Sequence, residues 1–140
     1  MSRTFAPRPQ ASSVTEMTEY VLPQHANAFG TVFGGQIMAW VDLCGAICAA
    51  RHAGSPCVTA FVDELHFKGP VLVGEVVRLR ATVTAAFRTS LEIEVDVHGE
   101  NPQTGRIWPC VHAYLTFVAM GPDRHPTAVP PLALEDEAVR

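Results

Sequence analysis

The run from Gly35 to Arg51, GQIMAWVDLCGAICAAR, is apolar at almost every position, and Asp42 is its only charged residue before Arg51. Its length and its lack of proline predict a helix. A helix apolar on every face is expected to be buried. A carboxylate in such a helix is costly unless it is paired, hydrogen-bonded or kept for chemistry. Asp42 is therefore the first candidate functional residue.

The turn ahead of this helix, HANAFGTVFGG, is the second constraint. Gly30, Gly34 and Gly35 bring the backbone to the helix start with little side-chain bulk. The first amides of a helix have no partner inside it, and the helix dipole makes them a site for an oxyanion or a polarised carbonyl. Gly35 and Asp42 stand seven positions apart, about 10 Å along the axis at ~1.5 Å per residue. One helix does not bring its own amides and its own Asp42 to one small group. A second, antiparallel copy of the chain would supply the missing half.

The rest of the chain reads as strands. Val14 to Leu22 predicts a first strand and Val58 to Phe67 a second. Glu75 to Phe87 alternates, with Val77, Leu79, Ala81 and Val83 opposite Arg78, Arg80, Thr82 and Thr84. Leu91 to His98 repeats the pattern with Leu91, Ile93, Val95 and Val97 opposite Glu92, Glu94, Asp96 and His98. Ile107 to Ala119 follows a hairpin turn at Glu100–Gly105. Period-two alternation marks an antiparallel sheet with one wet face. Gly54 and Pro56 stop the helix. The expected class is α+β, with one long helix wrapped by a curved sheet. Residues 1–13 read as a loose leader, 14–133 as the folded domain, and 134–140 as a mobile tail or a short terminal helix.

Composition narrows the function. The 140 residues suit one domain, and 48% hydrophobic against 17% charged residues suits a packed core. A net charge of −4 with no Lys/Arg run gives no footprint for nucleic acid. No apolar run has membrane-spanning length without a charge, and MSRTFAPRPQASS lacks a signal-peptide core, so a cytoplasmic protein is expected. Cys44 and Cys48 share a helix face, Cys57 and Cys110 are isolated, and no CxxC spacing exists. They read as small core fillers, not disulfides or ligands. The six histidines form no i, i+4 pair, and no metal site is expected.

Several ordered motifs resemble those of hotdog-fold acyl-CoA thioester hydrolases. They are Pro23, Asn27, Gly30, Phe33, Gly34, Gly35 and Asp42, then VDELHFKGPVLVGE, then TFVAMGPDRHPTAVPPL. The likeness spans roughly Thr15 to Leu132. It implies a hotdog fold and hydrolysis of acyl-CoA to free coenzyme A and a carboxylic acid. No separate cofactor is implied, because coenzyme A is part of the substrate. The implied assembly is a homo-oligomer built from dimers, a tetramer or a hexamer, with Asn27 of one subunit facing Asp42 of the other. Phe33 stands where many members carry His, so a base at that position does not transfer.

These residues fit thioester chemistry. The amides of Gly34 and Gly35 offer an oxyanion hole, one such donor being worth ~3 kcal/mol. Asp42 can activate water as a general base or attack directly to form a mixed anhydride. Asn27 offers a donor and an acceptor to position water or thioester. It is equally a residue that turns favour. For the substrate's phosphates, Arg88, Thr89 and Ser90 form one candidate clamp and Lys68 another. His25 and Phe33 are candidates for lining the site. Two alternatives stand beside this reading. A hotdog dehydratase would pair a His with an acid, and the helix has no His before His52. A non-catalytic acyl-CoA-binding regulator would need a DNA-binding unit for which the leader has no room.

Overall fold

The computed structural model describes residues 5–133, the side chain at position 64 excepted. It consists of one long helix lying across a five-stranded antiparallel sheet, closed at one end by a small parallel pair. The elements run β1 (Arg8–Pro9), a 3-10 turn (Gln10–Ser12), β2 (Thr15–Tyr20), a second 3-10 turn (Pro23–His25) and α1 (Gly34–Ala53). Then follow β3 (Cys57–Phe67), β4 (Val76–Ala86), β5 (Ser90–Glu100), β6 (Ile107–Ala119) and β7 (Leu132–Ala133). Sheet order is β2-β4-β5-β6-β3, with β1 paired to β7 alone. This is the α+β arrangement expected from the alternation and the helix length, and the hotdog fold that the resemblance implies.

Alternation decides the faces. Leu91, Ile93, Val95 and Val97 of β5 and Ala113, Leu115, Phe117 and Ala119 of β6 point inward and are buried. The helix meets this face closely. A Cβ at Gly45 would lie 3.0 Å from Cε2 of Phe117, so any side chain there would have to shift the Phe117 ring. The opposite sheet face is polar. On it His112 Nε2 meets Glu94 Oε2 at 2.9 Å and the Tyr114 hydroxyl donates to the same oxygen at 2.8 Å. The His112 bond holds the Glu94 carboxyl below the usual carboxylate range. Asp96 completes a set whose ligand-type atoms lie within 4.8 Å of one another.

Both helix ends are defined. Phe33 precedes α1 in extended backbone with no side-chain cap. Gly54 follows it at φ 70°, its amide bonded to the Ala50 carbonyl. A left-handed residue there is the usual helix stop, and glycine takes it without strain. Arg8 reaches across and donates to the carbonyls of Arg51 and His52 at 3.1 and 3.0 Å. The leader is thus not loose over its second half. Arg8–Pro9 pairs with Leu132–Ala133, and Gln10 Nε2 donates to Val83 at 2.8 Å. Residues 1–4 and the tail expected at 134–140 lie outside the described residues.

Two features leave surface uncovered. The helix is not buried all round: Met38, Ala39, Asp42, Leu43 and Ile47 form an exposed stripe. β3 is an edge strand paired only with β6, and Phe61 and Phe67 on it are 60% and 54% exposed. β3 also carries two bulges. Ala60 is an extra residue between the Thr59–Phe117 and Phe61–Thr116 pairs, and another lies between Asp63 and His66.

Candidate active site

Asp42 sits in the middle of the exposed helix stripe. This corrects the expectation that the helix buries it: an apolar sequence on every face did not mean cover on every face. Its carboxylate is nonetheless held. The Thr59 hydroxyl, near the start of β3, donates to Asp42 Oδ1 in a short hydrogen bond. One oxygen is thereby fixed, and no partner for Oδ2 is found among the described residues. Sequence reasoning passed over Thr59. It lies seventeen positions from Asp42 and reads locally as one more strand residue; only the helix-to-edge contact singles it out.

The helix start is open as a donor site. The amides of Gln36 and Ile37 turn back to the Phe33 carbonyl at 3.1 and 3.3 Å. Those of Gly34 and Gly35 have no acceptor among the described residues. A Cβ at Gly34 would meet Phe67 Cζ at 3.3 Å, so glycine lets β3 approach the helix start. A cavity of about 440 Å³ opens at this point, lined by Gly34, Ile37, Phe67, Lys68, Gly69 and Pro70. Asp42 does not reach it within the chain. Both belong to one unbroken helix, so the ~10 Å axial gap stands.

Asn27 has a divided role. Its Oδ1 accepts from the amides of Phe29 at 2.9 Å and Thr31 at 3.3 Å, and from the Thr31 hydroxyl at 3.1 Å. Three donors aimed at one atom fix which end of the amide is oxygen. Oδ1 is spent on shaping the loop, and Nδ2 is left as a donor with no partner among the described residues. The turn reading and the site reading of Asn27 thus apply to different atoms of one side chain.

His25 clips this loop to the helix. Its Nδ1 accepts the Leu22 amide at 3.0 Å, its carbonyl accepts the Phe33 amide at 3.0 Å, and its ring meets Trp40 edge-on at 5.0 Å. Phe33 is half exposed at the helix entrance, with its ring edge 3.6 Å from the Cβ position of Gly35.

The two phosphate candidates fall at opposite ends of the sheet. Ser90 lies in the row of Val118 and Val58, at the start of β3. Lys68 follows the end of β3, its amide bonded to the Cys110 carbonyl at 2.7 Å. Eight strand residues, from Ser90 to His98, separate the two rows, roughly 26 Å at ~3.3 Å each. Arg88, Thr89 and Ser90 therefore do not join Lys68 in one clamp within one chain. Their turn is tied down by backbone bonds, Ala119 to Thr89 at 3.0 Å and Val129 to Arg88 at 2.9 Å, and Arg88 itself stays exposed.

All four cysteines are free, and burial raises their thiols to about 11, as expected of core fillers. No helix among the described residues is long and apolar enough to cross a membrane.

Comparison with known proteins identifies the family and the fold. The profile of the thioesterase superfamily matches residues 29–106. The mouse acyl-coenzyme A thioesterase 11 is 39% identical over 104 residues, which cover 74% of this chain but 18% of the mouse protein. The chain thus spans about a fifth of the length of that relative. Among solved structures, an acyl-CoA thioesterase described as an apo hexamer superimposes with a TM-score of 0.89 at 36% identity, covering 96% of this chain and 88% of that one. An acyl-CoA hydrolase from Staphylococcus aureus, solved with butyryl coenzyme A, coenzyme A and coenzyme A disulfide, gives a TM-score of 0.87 at 32% identity over 94% of this chain and 80% of that one. A matched profile over more than half the sequence and near-complete structural overlap lead to one conclusion: this chain belongs to the thioesterase superfamily, among its hotdog-fold acyl-CoA thioester hydrolases.

Proposed function

We propose that the protein hydrolyses acyl-CoA thioesters to coenzyme A and a carboxylic acid, in a site shared by two copies of the chain. The observation that carries this reading is the pairing of open helix-start amides with a carboxylate displayed, and held by Thr59, on an uncovered apolar helix face. A second copy accounts for that uncovered face and for the β3 edge together. Antiparallel pairing of two β3 edges about a two-fold axis brings the Thr59 end of one β3 toward the Phe67 end of the other, beside the cavity at Gly34. The partner's Asp42 travels with it toward the helix-start amides. The partner's Arg88 turn arrives at the Lys68 end by the same operation, so two cations from two chains serve one substrate.

The chemistry follows from these placements. The thioester carbonyl lies against the amides of Gly34 and Gly35, which stabilise the charge that develops on oxygen. Asp42 takes the proton of an attacking water and passes it to the departing sulfur, or attacks the carbonyl itself to form a mixed anhydride. A water then hydrolyses that anhydride, freeing the acid and Asp42 and supplying the proton to the thiolate. Thr59 holds Oδ1 so that Oδ2 faces the reaction. Nδ2 of Asn27 donates to the water or to the thioester. Coenzyme A leaves as the thiol. Relatives described as hexamers support assembly of such dimers into a larger homo-oligomer.

The test is incubation of the purified protein with a panel of acyl-CoAs and a thiol reagent. Stoichiometric thiol and acid release is expected. Binding without thiol release, or loss of water from a hydroxyacyl-CoA, would replace this reading with a regulator or a dehydratase.

A further inference from the structure

A second cavity, of about 470 Å³, adjoins the one at the helix start and shares with it the wall formed by Lys68, Gly69 and Pro70. Its remaining walls include Glu75, Arg106 and Trp108. Trp108 is fixed from two sides. Its Nε1 donates to the Pro70 carbonyl at 3.0 Å. Its ring fills the space above Gly99, where a Cβ would come within 2.4 Å of Cε2. The strand register places Gly99 directly across from Trp108, so the ring covers the glycine of its cross-strand partner. On this ring sits the Arg106 guanidinium, 4.9 Å from the centroid. A cation held over an indole is oriented without being neutralised.

Neither Arg106 nor Lys68 has an ion-pair partner among the described residues. Glu75 is the one carboxylate in the wall, and its Oε1 is committed to the Leu72 amide at 2.8 Å. The cavity therefore carries a net positive charge of one, from two cations of which Arg106 is held over Trp108, and shares a wall with the cavity at the helix start. Phosphate oxygens match the guanidinium fork and the ammonium point charge.

We propose that this cavity receives the phosphorylated nucleotide end of the thioester substrate, with Lys68 and Arg106 on its phosphates and Trp108 as the support that orients Arg106. The proposal rests on the acyl-CoA reading above. Coenzyme A carries a pyrophosphate and a separate 3′-phosphate, so this set and an Arg88 from the partner can hold different groups of one molecule. Trp108 and Gly99 are then a matched pair: a side chain at 99 would displace the ring and with it Arg106.

Two measurements test this. In the first, Arg106→Gln is compared with wild type on an acyl-CoA and on the S-acyl pantetheine lacking the nucleotide. KM for the acyl-CoA should rise about tenfold, as for loss of one charge-assisted bond, with KM for the pantetheine ester unmoved and kcat similar on both. In the second, Trp40→Phe leaves Trp108 as the only indole of the two in the chain. Adenosine 3′,5′-bisphosphate should then change its emission saturably, inorganic phosphate at equal concentration should not, and adding Arg106→Gln should abolish the response. Equal KM changes on both esters would overturn the proposal, as would an emission that stays flat or responds equally to inorganic phosphate; the thioesterase reading would stand while acyl-CoA is still hydrolysed. A saturable bisphosphate response with no thiol released from either ester would keep the nucleotide site and remove the thioesterase reading instead.

Discussion

Thr59 donates its hydroxyl hydrogen to Oδ1 of Asp42, tying the carboxylate of the long helix to the edge strand of the sheet. The bond commits one carboxylate oxygen and leaves the other without a partner among the described residues. Replacing Thr59 by valine keeps the shape and removes the donor. A hydrogen bond to a charged group is worth roughly 1.5–3 kcal/mol, so kcat should fall about 10- to 100-fold with KM little changed. Thr59→Ser should keep most of the activity. Steady-state kinetics on one acyl-CoA decide the point, and an unchanged kcat in Thr59→Val would make the bond irrelevant to turnover.

Asn27 offers a sharper substitution than alanine. Oδ1 accepts three bonds that shape its loop, and Nδ2 alone is uncommitted. Asn27→Asp retains the acceptor and exchanges the donor for a second acceptor. The variant should melt within a few degrees of wild type yet lose about 100-fold or more in kcat, the scale of one lost oxyanion-type donor. Alanine, in contrast, should cost stability as well, because the amides of Phe29 and Thr31 lose their acceptor.

If the site is shared, two dead variants can rescue each other. Asn27→Asp and Asp42→Ala should each be nearly inactive. Unfolded together and refolded as an equal mixture, about half of the dimers pair unlike chains, and each has one intact site of two. Roughly a quarter of wild-type activity should return. Activity that stays at the single-variant floor would put both residues in one chain's site.

Arg88 is about 26 Å along the sheet from the Lys68 row of its own chain, so on the shared-site proposal it would reach the substrate across the subunit boundary. Arg88→Gln should raise KM for acyl-CoA, leave it unchanged for the pantetheine ester, and weaken the salt dependence of binding. The same mixing experiment with Asp42→Ala sorts its origin. Arg88 and Asp42 are assigned to the same partner chain, so in unlike dimers one site should lack Asp42 and the other Arg88, and the active sites should keep the raised KM; a wild-type KM in the mixture would place Arg88 on the other chain.

His52 supplies a stability signature. It is fully buried at the C-terminal end of α1, with Nε2 bonded to the Pro130 carbonyl at 2.7 Å. Burial holds its imidazole below the usual histidine range against the pull of that carbonyl, with Arg8 adding to the lowering. The folded state therefore keeps His52 neutral where the unfolded chain, near pKa 6.5, takes up a proton. Stability from this group is complete above about pH 6.5 and is lost as pH falls below it toward the folded value. The melting temperature should drop between pH 7 and pH 5, and His52→Gln, which can still donate to Pro130, should flatten that slope.

Much of this was legible in the chain because period and spacing carry it. Gly34 and Gly54 bracket the helix, and inward Val and Leu positions fix the faces of β4, β5 and β6. Asp42 stood out for its charge, but its exposure did not, since an apolar helix face looks alike whether the cover comes from its own sheet or from another molecule. Thr59 and Trp108 were silent for a different reason. Each matters through a contact made across the fold, Thr59 with the helix and Trp108 with Gly99 and Pro70, and nothing in the local pattern marks a threonine or a tryptophan on a strand as special. Arg8 was silent because a leader rich in Pro and Ser gives no period, yet three backbone carbonyls were waiting for it and for its amide.

The bulges of β3 bear on how the chain behaves at high concentration. A long, flat, apolar edge is a template to which strands add without limit. β3 is long and apolar at its edge, but its two extra residues, one beside Ala60 and one between Asp63 and His66, bend it and interrupt its even row of donors and acceptors. A strand of arbitrary sequence cannot follow that contour, whereas an identical strand running the other way carries the same two bends in mirrored order. On the shared-site proposal, the irregular edge would act as a keyed join, admitting its own copy and closing after one addition, and the acidic Asp63 beside the strand's centre works against open-ended fibres as well.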